Sequence, residues 1–591
     1  MKRFAKILSV IFAVAMIICS FPAEIISSAS DYNWVGAWGS PAVENGIVLG
    51  ENNGLHLQDY IPAGSTIRSI IVPTVSGTKI KLKFSNYYGE KPITINEATV
   101  AQTGETDDIV VPDTITQVTF NNGETSVTIA PGSEIFSDEI NFSVKALKKI
   151  SVSSYYKKTT TMYTTGLYNA VTYLASSLGN RTHKETMTTV ATRFSFTSGA
   201  ITYTPVPFLT RLDVYAKDAY SVVILGDSTV TNDVSVMLAE KLQHNNIKNV
   251  GIVMSGIIGN ELLNDGTGLI GKAYGESLLE RAKRDAFDVP GVKYVIVKIG
   301  LNDVLHPMLE SNQGKMPLTT ASQVIEGYRN LSQQAFGKGI NLYLCTRTPY
   351  KGYERAFMGS KDLTWTQQGE NTLLEINKWV KNNATSNNYA GYIDLDALRD
   401  PEDTAKLRDH MTPDGAHLTN YGQIAFVDLI PEAAYGVKKE ITDYASIVKI
   451  DPYVAPVAVE KTTKQQESTT KANAENNNIT TAVTTTVPST TSNTAETVTN
   501  QPTQMAPGVI VSPAVTTSAN TNTNQVIVET PLGENDQVVS GNVSDDSFTL
   551  RQTVGFVVLA VVAMAIISVA AVMLVRIKPK SSAKAKDGNK V

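Results

Sequence analysis

Three residues stand where acyl-transfer chemistry could be built. Ser228 closes the run Ser221-Val-Val-Ile-Leu-Gly-Asp-Ser228, and Asp414 lies three residues before His417 in Asp414-Gly-Ala-His417. A serine hydroxyl is a poor nucleophile until a base takes its proton, and the base needs a third group to fix its tautomer. A turn across Asp414-Gly-Ala-His417 brings the carboxylate to the imidazole, so the triad would be written Ser228, Asp414, His417. The chain has six histidines. His410 competes as base through Asp409, but adjacent side chains in an extended stretch diverge. His306, near Asn302, could line the pocket, although a surface place is the favoured expectation, and His56, His183 and His244 have no suggestive sequence partner. Taken singly, Gly-Asp-Ser reads as a plain turn and Asp-x-x-His as a surface hydrogen bond. It is their conjunction that argues for catalysis. No His-Glu-x-x-His or carboxylate cluster suggests a metal, and the chemistry calls for no cofactor.

The elements that must position these residues change character near Pro205 to Arg211. Before that point, Thr66–Val72, Lys79–Phe84 and Ser126–Ile129 alternate apolar and polar residues between Gly, Pro and Asn turns. Period two with frequent turns predicts antiparallel β-structure, a sandwich or jelly roll over 32–206. Beyond it, the apolar runs Ser221–Leu225, Val292–Val297 and Ile340–Leu344 are separated by helical stretches at Val234–Gln243, Leu278–Ala286, Ala321–Phe336 and Thr372–Val380. Strand alternating with helix predicts an α/β domain over 212–440, a parallel sheet covered on both faces. Ser228 then falls at the carboxyl end of a strand, where open α/β sheets hold their ligands.

Four segments in order, Gly226-Asp-Ser228, Gly256-Ile-Ile-Gly-Asn260, Gly300-Leu-Asn-Asp303 and Asp414-Gly-Ala-His417, resemble the four sequence blocks of SGNH (GDSL-like) hydrolases. The resemblance implies a flavodoxin-like three-layer domain and a serine esterase with Ser228, Asp414 and His417 as catalytic residues. It also implies an oxyanion hole from the Ser228 amide, the Gly259 amide and the Asn302 side chain, with Gly256 serving a tight turn. The first region, through Trp34-Val-Gly-Ala-Trp38, Phe84-Ser-Asn-Tyr-Tyr-Gly89 and Ile129-Ala-Pro-Gly-Ser-Glu-Ile-Phe-Ser-Asp138, is similar to the β-sandwich that precedes the hydrolase domain in a secreted subgroup. The sequence departs from that subgroup directly after the nucleophile, where Thr229-Val-Thr-Asn-Asp233 replaces Ile-Thr-Asp-Gly.

The two ends give an address. Basic Met1–Lys6, apolar Ile7–Cys19 and small Ser28 and Ser30 read as a signal peptide over 1–30. Residues 461–546, rich in Thr, Asn, Ser and Val, bury too little apolar surface to offset their ordering entropy and read as a disordered stalk. The uncharged run 554–575 suits one transmembrane helix, and the basic tail 576–591 stays cytoplasmic by the positive-inside rule. The expectation is a single-pass cell-membrane protein with its ectodomain outside.

Composition narrows the partners. A net charge of −5 over 591 residues, without an internal Lys/Arg block, offers no footprint for nucleic acid. Of the two cysteines, Cys19 falls in the leader and Cys345 in an apolar run, so no disulfide framework exists and Cys345 reads as a buried hydrophobe. An exported, tethered esterase suggests ester groups on external polymers, first of all O-acetyl groups on polysaccharides. A lipase or lysophospholipase-like enzyme, an acyltransferase with the same residues and a non-catalytic glycan-binding surface protein stay open. Trp34, Trp38, Tyr87 and Tyr88 could bind glycan, although strand aromatics are more often core.

Overall fold

In the computed structural model, the described residues are 32–448, without 46–59, 176–178, 188–190, 194–195, 199–200, 204, 232, 267–270, 358–359 and 384–388. The expected leader, stalk, membrane helix and basic tail lie outside these residues. Among the described residues no helix is long and apolar enough to cross a membrane.

The first region is all-β. We number its principal strands β1 (Tyr32–Gly39), β2 (Ser65–Ile71), β3 (Lys79–Asn86), β4 (Glu97–Gln102), β5 (Thr116–Val118), β6 (Ser133–Phe136), β7 (Ile150–Tyr156), β8 (Val171–Ala175), β9 (Ala191–Arg193) and β10 (Leu209–Lys217). They form two antiparallel sheets, ordered β1-β10-β3-β6 and β9-β8-β2-β7-β4-β5. Alternate residues of both sheets, such as Ile80, Leu82 and Phe84 from one and Ile67, Ile71, Val100 and Val152 from the other, enter a single hydrophobic core. That is the burial pattern the period-two reading requires.

β10 corrects the expected division of the chain. It runs to Lys217, past the boundary drawn between 206 and 212, and pairs with both β1 and β3. Its alternating residues, with Leu212 and Val214 buried in the β-core, make it the last strand of the first region rather than the start of the second.

The second region is built on β11 (Tyr220–Gly226), β12 (Val250–Gly256), β13 (Val292–Lys298), β14 (Asn341–Cys345) and β15 (Gly391–Ile393), all parallel and ordered β12-β11-β13-β14-β15. This is the flavodoxin-like order. Its main helices are α1 (Val234–His244), α2 (Leu301–Met308), α3 (Ala321–Phe336), α4 (Gln367–Asn383) and α5 (Asn420–Leu429). Val223, Leu225, Val295 and Val297 face Tyr328, Leu331 and Ile376 on one side of the sheet. Val222, Ile224 and Ile296 face Leu238, Leu242, Phe426 and Val427 on the other. Continuous burial of these strands follows from covering both faces, so their sequence shows no alternation. Cys345 is wholly buried, and its thiol is pushed up to about 12 by that burial.

The two regions are hydrogen-bonded together. Gly36 N donates to Ser221 Oγ at 2.8 Å, and Ser221 Oγ donates to Pro290 O at 2.6 Å. Thr74 Oγ1 accepts from Ile252 N at 2.7 Å, capping the backbone of edge strand β12. Tyr87 donates from its hydroxyl to Glu276 at 3.0 Å, and the Arg284 guanidinium lies 4.3 Å from its ring. Trp38 is buried with Nε1 donating to Asn169 O, while Lys81 lies over the Trp34 ring. Trp34, Trp38 and Tyr87 are thus occupied in packing and in joining the two regions.

Candidate active site

Three neighbouring strands end at one level, because Gly226 at the end of β11 is registered with Gly256 on β12 and Lys298 on β13. The loops that follow carry Ser228, Gly259 and Asn302, so parallel pairing alone brings three distant segments to one edge of the sheet. Asp227 adopts an extended backbone and caps the short turn Ser228–Val230, accepting from Thr229 N at 2.9 Å. Arg281 then ties two of these loops together. It is fully buried, donating from Nη2 to Gly226 O at 2.8 Å and from Nε to Asn260 Oδ1 at 3.0 Å.

The fourth segment supplies the base. Thr412 Oγ1 accepts from Gly415 N at 2.8 Å, closing a turn before α5. Asp414 Oδ1 accepts from the amides of Ala416 and His417 at 3.0 and 2.8 Å, and its Oδ2 lies 2.7 Å from His417 Nδ1. His417 Nε2 lies 3.0 Å from Ser228 Oγ across 189 positions of chain. Burial alone would push the Asp414 carboxyl up, but the His417 hydrogen bond and charge and the two amides hold it down to about 2. An ionised Asp414 accepts from Nδ1–H, leaving the Nε2 lone pair directed at the serine hydroxyl. Tyr353 packs edge-on against the imidazole with ring centres 5.8 Å apart.

Besides the Ser228 amide, the two other expected oxyanion donors sit on adjoining elements. Gly259 has φ +62°, and a Cβ there would meet the Tyr274 ring at 2.4 Å, so both backbone and space favour glycine. Gly300 opens α2 with φ +103°, which turns the chain sharply from β13 into the helix and sets Asn302 in its first turn. Asn302 is nearly buried and donates from Nδ2 to Asn260 O at 3.0 Å. Asp303 accepts from Leu262 N and Leu263 N at 2.8 and 3.0 Å. Burial, with the nearby Glu261 charge, pushes that carboxyl up to about 7.

His306 departs from its expected place at the surface. It is 8% exposed, with Nδ1 2.6 Å from Glu261 Oε1 and its ring stacked on Tyr274. Four residues after Asn302 on the same helix face, it is turned inward with that residue. His410, the competing base, has its ring against Tyr421, while its carbonyl accepts from Thr419 Oγ1.

Sequence reasoning passed over Arg281, Tyr353 and Lys298, and it named Asn260 only as part of a motif. Arg281 had a usable signal, a charged residue on the apolar face of a helix beside Leu278 and Ala282. Tyr353 had none, because its meeting with His417 depends on a long loop. A cleft lined by Glu261, Leu263, Asp265, Pro307, Met316 and Leu318 opens behind the Gly259–Asn260 loop, but neither Ser228 nor His417 lines it. Among the described residues no group of three or more His, Cys, Asp or Glu is placed to hold a metal ion.

A hydroxyl, an imidazole and a carboxylate hydrogen-bonded in sequence at the carboxyl edge of a parallel sheet form an arrangement of the serine-hydrolase class. Residues 222–430 match the GDSL-like lipase/acylhydrolase family. This stretch of the chain belongs to that family, and the protein is an ester-hydrolysing serine hydrolase. No curated protein matches the chain at a significant level. Among solved structures it is similar to an acetyl xylan esterase, at 19% identity over 35% of this chain and 96% of that one, with a TM-score of 0.26. A GDSL-like lipase from Bacteroides thetaiotaomicron is similar at 17% identity over 36% and 87%, with a TM-score of 0.26. An acetyl-xylooligosaccharide esterase from Geobacillus is similar at 16% identity over 37% and 95%, with a TM-score of 0.29. These likenesses carry no functional weight, and the assignment rests on the family match.

Proposed function

We propose that the protein hydrolyses carboxylic esters through an acyl-enzyme on Ser228, with His417 as general base and then general acid and Asp414 as its orienting carboxylate. The observation that carries this reading is the continuous pair of contacts, 3.0 Å from Ser228 Oγ to His417 Nε2 and 2.7 Å from His417 Nδ1 to Asp414. As the hydroxyl attacks the ester carbonyl, its proton passes to Nε2, and the imidazolium so formed is stabilised by Asp414. The alkoxide of the tetrahedral intermediate is met by the Ser228 and Gly259 amides and the Asn302 side chain, donors fixed before the charge develops. His417 then protonates the leaving alcohol. Water, deprotonated by the same imidazole, releases the acid.

Ser228→Ala tests the reading. Turnover of a short-chain aryl ester should fall by about 10⁶-fold, with an unchanged thermal transition; substantial residual turnover would remove the nucleophile assignment.

For the physiological substrate we propose O-acetyl groups on external polysaccharides, acted on by an ectodomain tethered through residues 554–575. Support comes from the leader, the Thr/Asn-rich stalk and the apolar run with its basic tail, all read from sequence. Acetate release from acetylated xylan, pectin and peptidoglycan, set against release of fatty acid from lipid esters, tests the substrate class. Inactivity on all three glycans would rule it out. Protease treatment of intact cells tests the topology, since an ectodomain that stays uncleaved while secreted controls are digested contradicts it.

A further inference from the structure

Lys298, the last residue of β13, is 2% exposed. An ammonium withdrawn from water is retained only where its donors are answered. Here Nζ donates to Thr229 Oγ1 at 2.5 Å and reaches Thr348 Oγ1 at 3.4 Å. Thr229 Oγ1 passes the interaction on, donating to Asp227 Oδ1 at 2.5 Å, and the Thr229 amide donates to the same carboxylate oxygen at 2.9 Å. Asp227 and Thr229 are the two residues that flank Ser228, and Asp227 caps the turn on which Ser228 stands. Thr229 is also the first residue at which this chain departs from the subgroup it resembles. The carboxylate itself is only 1% exposed, so the nucleophile turn rests on a buried charge whose opposite charge approaches through a single hydroxyl.

We propose that Lys298 is a positioning residue for the esterase reaction: its ammonium, acting through the Thr229 hydroxyl on the Asp227 carboxylate, locks the Ser228 turn against the sheet end. This rests on the reading of Ser228 as nucleophile. The same groups set a pH response. Burial lowers the Lys298 ammonium to about 8, with Asp227 opposing that shift and the Arg347 guanidinium adding to it. Cys345, which also faces Lys298, has its thiol pushed up to about 12 and stays neutral in this range. Rising pH therefore discharges Lys298 first and slackens the lock.

The test compares Lys298→Met, Thr229→Val and the double variant with the parent, both substitutions keeping side-chain volume. Each single change should lower kcat by about tenfold to 100-fold, with KM moving less than about threefold, because a misplaced nucleophile affects the reacting geometry more than binding. The double variant should lose no more than the worse single variant, since both break one relay. Parent kcat should step down on passing about pH 8, and Lys298→Met should lack that step. Lys298→Met with parental kcat, losses that multiply in the double variant, or a parent profile flat from about pH 7 to pH 10 would each overturn the proposal. If Lys298→Met does not fold, Thr229→Val and the parent pH profile decide the matter alone. Ser228→Ala separates the two layers. Turnover surviving in that variant defeats the nucleophile reading, whereas a dead Ser228→Ala beside a fully active Lys298→Met defeats only the role given to Lys298.

Discussion

Buried charge is handled differently in the two regions. In the β-region, Arg68 of β2 is fully buried and donates to Ser153 Oγ on β7 and to the carbonyls of Asp108, Lys184 and Glu185, at 2.7 to 3.1 Å. Its guanidinium is lowered to about 10, chiefly by burial, and its bonds go mainly to backbone that folding has fixed. In the α/β region the buried polar groups Asp227, Lys298, Asn302, Asp303, His306 and His417 cluster at or just beyond the strand ends and bond largely to one another or to loop amides. The first arrangement tethers loops to a sheet. The second keeps titratable groups close together in a poorly solvated place, which costs stability and is the usual mark of a site built for chemistry.

The sharpest way to break this contrast is Asp414→Asn, which preserves shape but denies the imidazole its anionic acceptor. A loss of kcat of about 10⁴-fold is expected in steady-state ester hydrolysis, far more than the loss of folding stability accounts for in a variant that remains folded at assay temperature. Asn302→Ala should follow, lowering kcat by about 10²–10³ while KM stays near its parental value. Arg68→Met should act in the opposite sense. It leaves several carbonyls unanswered and should lower unfolding free energy by about 3 kcal/mol in denaturant titration, with kcat of the folded enzyme unchanged. An activity loss without destabilisation in that variant would erase the distinction between the regions.

The smallest effect is a matter of pH. Asp414 is held at about 2 in the fold, below the ordinary aspartate value. Its ionised form is therefore stabilised, and that contribution is complete above about pH 4 and disappears as pH falls towards 2. Acid unfolding followed by circular dichroism should show Asp414→Asn losing about 2 kcal/mol of this dependence.

Legibility in the sequence followed the physics of each element. Lys79–Phe84 alternates apolar and polar residues because Ile80, Leu82 and Phe84 enter the core while Lys79 and Lys81 stay partly exposed, so six residues suffice to read it as a strand. Tyr220–Gly226 was readable as a strand for the contrary reason, since both faces are covered. β12 and α2 escaped notice: Gly251, Ser255 and Gly256 dilute the apolar run of the one, and Pro307 interrupts the other. Ser228, Asp414 and His417 were nameable because two short motifs carry them. The burial of His306 was not, since it depends on Glu261 and Tyr274, which lie in a separate segment.

By itself, the sequence determined which regions are antiparallel and which parallel, because side-chain periodicity reports how many faces of a strand are covered. It also determined which hydroxyl, imidazole and carboxylate could act together, because turns and strand ends have short local signatures. The tertiary structure decided where the first region ends, which buried cations brace the nucleophile turn and how the Gly259 loop is fastened to α2. Those outcomes depend on contacts between residues tens to hundreds of positions apart, and a one-dimensional pattern carries no record of such distances.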